Sequence, residues 1–280
     1  MNKNSFIKPI LKWVGGKRQL LSEIVPLIPK NINTYVEPFV GGGAVLFDIQ
    51  PNKAIINDSN SELINVYKTI MNNPDELIEE LKIHKLNNSS DYFYEIRAID
   101  REKNYKNYTT VNKASRIIYL NKTCYNGLYR VNQSGFFNTP YGRYKNPDIV
   151  NEITIKALSK YFNDNHIEIY NEDYSNVISN LDKNDFVYFD PPYVPISTSS
   201  SFTGYTEGGF TLENQKELKN YCDKLTEKGV RFLLSNSDSE FIHDLYSDYN
   251  IKTVKAKRFI NSKAKNRGEI NEVLVSNYEI

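Results

Sequence analysis

An acidic residue stands at the end of an apolar run and is followed at once by two prolines and a tyrosine. The run is Phe186–Phe189, and the four residues after it are Asp190, Pro191, Pro192 and Tyr193. Proline has no N–H donor and cannot extend a central strand, so we expect the strand to end at or near Asp190. The sequence therefore predicts a carboxylate, freed backbone carbonyls and an aromatic ring at the edge of a buried sheet.

These groups suit the methylation of an exocyclic amine on an aromatic base. Such an amine is a poor nucleophile because its lone pair is delocalised into the ring. Acceptors around its N–H groups let the nitrogen pyramidalise, and Asp190 and the Pro191 carbonyl supply two of them, while the carboxylate stabilises the developing positive charge. Tyr193 offers a ring on which a base taken out of a duplex can stack. The non-catalytic alternative is a plain strand end with a proline turn.

The elements that must position these groups alternate along the chain. The sequence predicts strands at 34–40, 53–58, 166–174, 185–190 and 230–237, and helices at 16–28, 43–50, 60–84, 151–164, 174–181 and 211–228. Gly229 ends the last helix. This rhythm predicts a Rossmann-like α/β fold, with a mostly parallel sheet covered by helices on both faces. Two further segments, 251–260 and 269–279, predict an antiparallel hairpin at the edge of that sheet.

Two stretches interrupt the alternation. Residues 61–150 combine helical patterns with the segment "NKTCYNGLYRVNQSGFFNTPYGRYKNP", which is dense in Tyr, Phe, Asn, Gly and Arg. A connection of that length predicts an inserted helical subdomain that ends in a short hairpin. Residues 194–209 are small, polar and glycine-containing, and they predict either a mobile lid or a passive connection.

Three predicted strand ends carry the parts of a nucleoside pocket. Glycines at 41–43 follow the first strand and allow close backbone approach. Asp58 follows the next strand and can accept both hydroxyls of a ribose, and Asp173 can accept the amino group of an adenine. For each acid, the alternative is a helix N-cap. Neither G-x-G-x-x-G nor a Walker spacing is present, so S-adenosylmethionine is favoured over NAD as the cofactor.

Composition and charge narrow the class of protein. The chain has 280 residues, of which 40% are hydrophobic and 25% charged, and its net charge is +1. Three segments without any acid, 1–22, 103–147 and 252–268, contain five, eight and seven Lys or Arg. They predict a surface that meets phosphates, with solvated basic faces as the alternative. No apolar run reaches membrane-spanning length, no signal peptide is evident, and two cysteines are too few for a disulfide framework. We therefore expect a cytoplasmic protein without a structural metal.

Four motifs together resemble the Dam-type DNA adenine methyltransferases of the alpha class, and among them the methylases of DpnII systems. Asp190 to Tyr193 is similar to the DPPY motif, and "PFVGGG" to the glycine loop of that family. "LKWVGGKRQLL" resembles its N-terminal motif, and "NGLYRVNQSGFFNTPYGRYKNP" its target-recognition hairpin. The resemblance covers nearly the whole chain, and the order of the motifs is that of the class.

The resemblance implies a role for each matching residue. Asp190, Pro191, Pro192 and Tyr193 would be catalytic. Cofactor contacts would come from Trp13, Lys17, Glu37, Phe39, Gly41, Gly43, Asp58, Asp173 and Asp190. Contacts to DNA would come from Lys12, Asn126, Leu128, Arg130, Asn132, Pro140, Arg143, Tyr144 and Lys145. Arg130 would read a guanine, Tyr144 would stack where the adenine leaves, and Arg143 and Lys145 would grip phosphates.

The family further implies methylation of adenine N6 in double-stranded DNA at GATC, by base flipping. Residues 1–60 and 151–280 would form the catalytic domain, and 61–150 the target-recognition domain. We expect a monomer. The sequence does not decide whether a cognate restriction endonuclease accompanies the enzyme. The alternatives are an N4-cytosine methyltransferase, an amine methyltransferase acting on proteins or small molecules, a nucleotide-binding oxidoreductase and a non-catalytic DNA-binding module. The sequence disfavours each alternative. N4-cytosine methyltransferases usually carry Ser at the position of Asp190, and amine methyltransferases acting on proteins or small molecules usually carry Asn there. An oxidoreductase would need a pyrophosphate fingerprint, and a non-catalytic module would need a degenerate site.

Overall fold

A computed structural model describes residues 3–194, 210–257 and 269–280. The chain forms two compact units. The first comprises Met1–Gly16, Gly41–Asn52 and Asp58–Asn171, and the second Lys17–Val40, Lys53–Asn57 and Glu172–Ile280. The predicted lid lies almost entirely outside the described residues, as does the polar stretch 261–268.

A seven-stranded sheet carries the strand ends that the sequence predicts. The strands are β1 (Tyr35–Glu37), β2 (Lys53–Asn57), β3 (His166–Tyr170), β4 (Phe186–Phe189), β5 (Arg231–Ser237), β6 (Asn250–Lys257) and β7 (Glu269–Ser276). Their order is β3-β2-β1-β4-β5-β7-β6. β1 pairs in parallel with β2 and β4, and β4 with β5, whereas β7 runs antiparallel to both β5 and β6. The predicted α/β class and the C-terminal antiparallel hairpin are confirmed.

Strand β4 is buried along its whole length. Its register with β1 pairs Phe186 with Tyr35. On its other side, Phe189 pairs with Leu234 of β5. A strand with neighbours on both sides and with every side chain buried must be apolar throughout, which is the pattern that made this segment recognisable in the sequence.

Helices build most of the first unit. The helices of the described chain are α1 (Leu21–Ile24), α2 (Ala44–Ile49), α3 (Ser61–Asn72), α4 (Pro74–Asn87), α5 (Ser90–Ala98), α6 (Thr110–Thr123), α7 (Glu152–Asp164), α8 (Tyr174–Ile178), α9 (Leu212–Glu227) and α10 (Glu240–Leu245). Within the first unit, α6 packs against α3, α4 and α5. Helix α9 begins with a capping box between Thr211 and Asn214, and Gly229 follows its end with φ +76° as predicted.

Two predicted helices differ from the structure. The segment 60–84 is two helices, because Pro74 ends α3 and takes the first position of α4, where its missing N–H costs nothing. The segment 16–28 contains only α1, which lies between the 3₁₀ turns Lys17–Leu20 and Val25–Leu27. Pro26 lies inside the second turn, so the helix does not continue through it.

A short hairpin follows α6, as the sequence predicts. Its two isolated bridges pair Cys124 with Tyr141 and Val131 with Phe137. We call residues 124–141 the hairpin. Cys124 at its base is a buried free thiol, and burial raises the pKa of this thiol to about 12. Among the described residues, no helix has both the length and the apolar character to cross a membrane.

Candidate active site

Asp190 lies directly after β4 and forms an ion pair with Lys17. The Lys17 Nζ atom is 2.8 Å from Asp190 Oδ1. The lysine side chain is only 6% exposed, and the aspartate side chain is 19% exposed. The Asp190 side chain is therefore partly exposed, and the buried Lys17 cation beside it fixes its orientation. The resemblance assigns Lys17 to the cofactor; the structure shows that it contacts the acid of the Asp-Pro-Pro-Tyr motif.

Tyr193 is held at both its hydroxyl and its ring. The hydroxyl donates to Glu272 Oε2 on β7 at 2.7 Å, and the Lys17 Nζ atom lies 4.6 Å from the ring centroid. Burial, with added repulsion from Asp190 and Glu272, raises the pKa of Tyr193 well above its usual value. The phenol thus stays neutral and remains a hydrogen-bond donor, and the ring is kept in one orientation beside Asp190.

Two buried side-chain amides, of Gln215 and Asn236, fix the backbone of the motif at Pro192 and of Val194 directly after the motif. Gln215 Nε2 donates to the Pro192 carbonyl at 2.8 Å, and Asn236 Nδ2 donates to Gln215 Oε1 at 3.1 Å. Asn236 Oδ1 also accepts the N–H of Val194 at 3.3 Å. Within the described part of the chain, the Pro191 carbonyl accepts no hydrogen bond. The Pro192 carbonyl is therefore bound by Gln215, whereas the Pro191 carbonyl, the predicted acceptor, has no partner among the described residues.

Glu37 at the end of β1 and Phe39 just after it contact aromatic residues of the second unit. Glu37 is buried and accepts the Tyr35 hydroxyl at 2.8 Å. The ring of Phe39 packs against Tyr174, with centroids 5.1 Å apart, and also against Phe189 and Phe210. These contacts hold Phe39 beside the end of β4.

Asp173 caps α8. Its Oδ1 accepts the Ser175 N–H at 2.9 Å and also accepts the Ser175 hydroxyl. The N-cap alternative for this acid is therefore confirmed, and a contact to adenine stays a prediction. Asn57, the buried last residue of β2, connects two loop segments near Asp173. Its Nδ2 donates to the carbonyls of Pro38, which follows β1, and of Glu172, which precedes Asp173.

Asp58 is not the cap of the helix that follows it. Asn60 caps α3 by accepting the Leu63 N–H, so the N-cap alternative for Asp58 is wrong. Asp58 instead accepts the Gly41 N–H through Oδ2 at 3.0 Å and the Asn60 N–H through Oδ1 at 2.9 Å. Burial raises the pKa of this carboxyl, and the two N–H bonds oppose that rise. The carboxylate thus fixes the glycine loop and retains lone pairs for hydroxyl donors.

The first two loop glycines lie against Trp13. A Cβ atom at Gly41 would lie 3.1 Å from Trp13 Cδ1, and one at Gly42 would lie 3.3 Å from Trp13 Cβ. The other neighbour of the indole is Tyr129 of the hairpin, which stacks on it with centroids 4.7 Å apart. Trp13 is therefore fixed between the glycine loop and the hairpin.

The hairpin presents Arg130 in a defined orientation. Arg130 Nε donates to Asn138 Oδ1 at 2.6 Å, across the hairpin. Asn132 builds the tip, because its Oδ1 accepts the N–H groups of Ser134 and Phe136. The Leu128 carbonyl accepts the Thr139 hydroxyl, and the Pro140 carbonyl accepts the Tyr125 N–H.

The remaining residues with predicted DNA contacts are exposed and lie in the first unit. They are Lys12, Asn126, Arg143, Tyr144 and Lys145. The backbone of Lys12 is held by Asn121, whose Oδ1 accepts the Lys12 N–H at 3.0 Å. Asn126 and Arg143 have positive φ of 58° and 54°, conformations that Asn tolerates better than Arg. These side chains are free of the core, as contacts to DNA require.

Nearly the whole chain is similar to proteins of known class. A family model described as D12 class N6 adenine-specific DNA methyltransferase matches residues 13–260. The chain belongs to this family. It is 46% identical over 279 residues to the type II methyltransferase M1.LlaDCHI of Lactococcus lactis subsp. cremoris, covering 99% of this chain and 98% of that protein. It is 34% identical over 281 residues to the DNA adenine methylase of Escherichia coli, with coverage of 98% and 95%.

A third relative is similar over almost the same length. The type II methyltransferase M.MjaIII of Methanocaldococcus jannaschii is 44% identical over 290 residues, covering 97% of this chain and 99% of that protein. The predicted enzyme class is thus confirmed: the chain is an adenine-specific DNA methyltransferase. Methyltransferases of this family generally use S-adenosylmethionine. In the described parts of the chain, no group of His, Cys, Asp and Glu could hold a metal ion.

Several residues that fix the motif of this D12-class enzyme were missed in the sequence. Gln215 and Glu272 contact the motif from positions 23 and 79 residues away, and Asn236 contacts Val194 from 42 residues away. The polar residues of "LLSNS" at the end of β5 were the one available signal, since an amide at the end of a buried strand needs partners. Glu272 and Gln215 carry no such local signal.

Proposed function

We propose that this enzyme transfers a methyl group from S-adenosylmethionine to adenine N6 in double-stranded DNA, at GATC, after flipping the base out of the duplex. The observation that carries this proposal is the arrangement at the end of β4. Asp190 has a fixed carboxylate, the Pro191 carbonyl is unused among the described residues, and Tyr193 has a fixed ring. Two acceptors and a stacking surface are what an exocyclic amine needs to become nucleophilic.

The chain's own groups contribute in three ways. Asp190 and the Pro191 carbonyl accept the two N–H groups of the amine, which directs the nitrogen lone pair away from the ring. The Asp190 carboxylate stabilises the positive charge that develops on nitrogen, without reorganisation, because Lys17 already holds it. Tyr193 stacks on the flipped adenine and fixes its plane, and base stacking of this kind contributes about 1–3 kcal/mol.

The residues that the resemblance assigns to the cofactor carry groups suited to a nucleoside without phosphates. Asp58 and Asp173 offer carboxylate oxygens to ribose hydroxyls and to an adenine amino group. Trp13 and Phe39 offer aromatic surface, and the glycine loop containing Gly41 and Gly43 offers backbone; Lys17 and Glu37 complete the assignment. When bound, S-adenosylmethionine supplies an electrophilic methyl on a sulfonium.

The DNA assignment rests on the exposed basic and aromatic residues of the first unit. Arg130 is the residue proposed to read guanine, and a bidentate Arg–guanine contact contributes about 1–3 kcal/mol of discrimination. Leu128 and Pro140 would contact bases, and Tyr144 would stack where the adenine leaves. Lys12, Asn126, Asn132, Arg143 and Lys145 complete the proposed contacts. Recognition of GATC, and the closer likeness to methylases of DpnII systems, follow from the resemblance.

The remaining assignments are also proposals. Residues 61–150 would form the target-recognition domain, and 1–60 with 151–280 the catalytic domain. The enzyme would act as a monomer in the cytoplasm of a bacterium or of a phage-infected cell. A restriction endonuclease that cuts the same site would be its cognate partner, if one accompanies it.

The decisive experiment maps the product. Unmethylated DNA is incubated with the enzyme and S-adenosylmethionine, and N6-methyladenine is then located by sequence context. Methylation confined to GATC is expected. Methylated adenines in another context would refute the recognition sequence, and N4-methylcytosine would refute the target base.

The mechanism predicts the effect of removing one acceptor. We expect Asp190→Ala to lower kcat at least about 100-fold, because the transition state loses its fixed carboxylate. DNA affinity should change little, and single-turnover methylation together with a filter-binding assay measures both. Asp248→Ala is the matched control, since the Asp248 side chain is 85% exposed and, among the described residues, makes only a 3.9 Å contact to Lys219. Wild-type turnover in Asp190→Ala would contradict the mechanism.

A further inference from the structure

We infer that Asp100 is a positioning residue for sequence recognition, because it holds the strand of the hairpin that fixes Arg130. This inference rests on the proposed role of Arg130 in reading DNA. Asp100 itself would touch neither DNA nor cofactor. Its effect would be on the preference among sites, through the orientation of Arg130.

Asp100 belongs to a cluster of charges after α5, in which Arg116 is buried and Arg101 is exposed. Its Oδ2 atom is 2.8 Å from Arg116 of α6, and its Oδ1 atom is 2.8 Å from Arg101. The side chains of Asp100 and Arg116 are 10% and 4% exposed. Arg116 also donates to the carbonyls of Ile96 and Arg97, so α5 and α6 fix the position of the pair.

This cluster binds both backbone polar groups of one hairpin residue. Asp100 Oδ2 accepts the Phe137 N–H at 2.7 Å, and Arg101 donates to the Phe137 carbonyl at 3.0 Å. The Phe137 side chain is buried and contacts the Tyr129 ring. A buried carboxylate that accepts a backbone N–H makes a stronger bond than a neutral acceptor would. The position of Phe137 is therefore set from outside the hairpin.

The position of Phe137 determines that of Arg130. Asn138, the next residue, donates its N–H to the Arg130 carbonyl at 3.0 Å. The side chain of Asn138 accepts Arg130 Nε at 2.6 Å. Arg130 is thus held at its backbone and at its guanidinium by a residue adjacent to the one that Asp100 holds. A shift of Phe137 would move both contacts together.

The test compares preferences among sites in full-length enzymes. The site that the wild-type enzyme methylates is mapped first, and duplexes with single base-pair changes are derived from it. The ratio of kcat/KM on the cognate duplex to that on the duplex altered at the Arg130 guanine is then measured. This ratio does not depend on the amount of active enzyme, so a simple loss of stability leaves it unchanged.

Three variants are measured beside the wild type. Asp100→Asn removes the charge and should lower the ratio about tenfold, as a misplaced Arg would. Arg101→Ala leaves the buried Asp100–Arg116 pair intact and removes the bond to the Phe137 carbonyl, so it should lower the ratio about threefold. Lys85→Ala is the control, because Lys85 is an exposed cation outside the acid-free segments with no described contact to the hairpin, and its ratio should equal that of the wild type.

A double-mutant cycle tests the route through Arg130. In an Arg130→Ala background, Asp100→Asn should cause no further loss of preference, because the residue that it positions is already gone. An additional tenfold loss in that background would overturn the inference. An unchanged ratio in folded Asp100→Asn, or an equal fall in rate on every duplex, would also overturn it. If Asp100→Asn does not fold, an unchanged ratio of kcat/KM values in Arg101→Ala would overturn the inference instead.

Hydrogen exchange separates this inference from the proposed function. Exchange of the Phe137 amide should be faster in Asp100→Asn than in the wild type, with or without DNA; unchanged exchange would overturn the positioning role. A wild-type enzyme that methylates a site other than GATC would refute the proposed recognition sequence and leave this test intact.

Discussion

At the scale of single residues, the motif depends on charged partners that come from distant elements. Lys17 lies on Asp190 and over the ring of Tyr193, and Glu272 holds the hydroxyl of that tyrosine. A lysine of the N-terminal motif thereby contacts two groups that are proposed to be catalytic. Because the Lys17 side chain is only 6% exposed, loss of Asp190 would remove the carboxylate paired with a buried cation, which is a destabilising change.

Asp173 caps α8 and is also proposed to bind the adenine of the cofactor, and these two roles can be separated. Asp173→Ser keeps an N-cap oxygen, so the free energy of unfolding should stay within about 0.5 kcal/mol of the wild type, whereas Asp173→Ala should lose about 1 kcal/mol. Both variants lose the carboxylate proposed to accept the adenine amino group. The KM for S-adenosylmethionine should therefore rise about tenfold in both. Denaturant unfolding and initial rates measure the two effects.

The serine variant decides between two roles. A wild-type KM in Asp173→Ser would mean that Asp173 only caps α8. A raised KM at unchanged stability would show that the carboxylate acts beyond the cap. The alanine variant alone could not distinguish these outcomes, because it removes both functions together.

At the scale of elements, the glycine loop shows why particular backbone positions lack a side chain. Gly43 precedes α2 with φ +68°, and a Cβ atom there would lie 2.6 Å from Phe47 Cε2. The Phe47 ring is buried between Tyr67 and Phe162, so it cannot easily move away. Gly135 at the hairpin tip has a similar φ of +79°, but no atom lies within 4 Å of the added Cβ.

These two glycines form a matched pair for a stability prediction. Gly135→Ala should cost about 1–2 kcal/mol, because only the left-handed backbone is strained. Gly43→Ala should cost a further ~1–3 kcal/mol from overpacking against Phe47. Denaturant unfolding of both variants measures the difference, and unchanged m-values would show that the unfolding reaction is the same. Equal losses in the two variants would contradict the steric role of Phe47.

The elements also show how far the sequence could predict the fold and the site. The position of Asp190 was predictable, because an apolar run followed by two prolines is a local signal. The boundary between α3 and α4 at Pro74 was equally predictable, because proline is a local signal. A single helix over 60–84 was therefore an avoidable error. The bonds of Gln215, Asn236 and Glu272 to the motif region were not predictable, because they join strands and helices that only the sheet order brings together. Asp58 illustrates the same limit, since the choice of Asn60 as cap depends on the direction of the chain after β2.

At the scale of the whole molecule, the count of basic residues overstates the number available to phosphates. Lys17 and Arg116 belong to acid-free segments of the sequence, yet both are buried in ion pairs with Asp190 and Asp100. Cations in such pairs hold neighbouring carboxylates and are not available to phosphates. Lys12, Arg143 and Lys145 are exposed and remain available. Net charge and the number of Lys and Arg in a segment therefore identify only candidates for contacts with DNA. The burial of each side chain decides which cations can release counterions from DNA.

Lys145 provides the prediction at this scale. It is exposed and is proposed to contact a phosphate, so Lys145→Ala should weaken binding about equally on all sequences. The slope of log K against log salt should become shallower by roughly one unit, because one counterion fewer is released. Lys30→Ala is the matched control, since Lys30 is an exposed cation outside the three acid-free segments, and its slope should equal that of the wild type. Fluorescence anisotropy of labelled duplexes between about 50 and 200 mM salt measures the slopes. An equal change in both variants would indicate a general effect of net charge, and a loss confined to one sequence would place Lys145 at a base rather than at a phosphate.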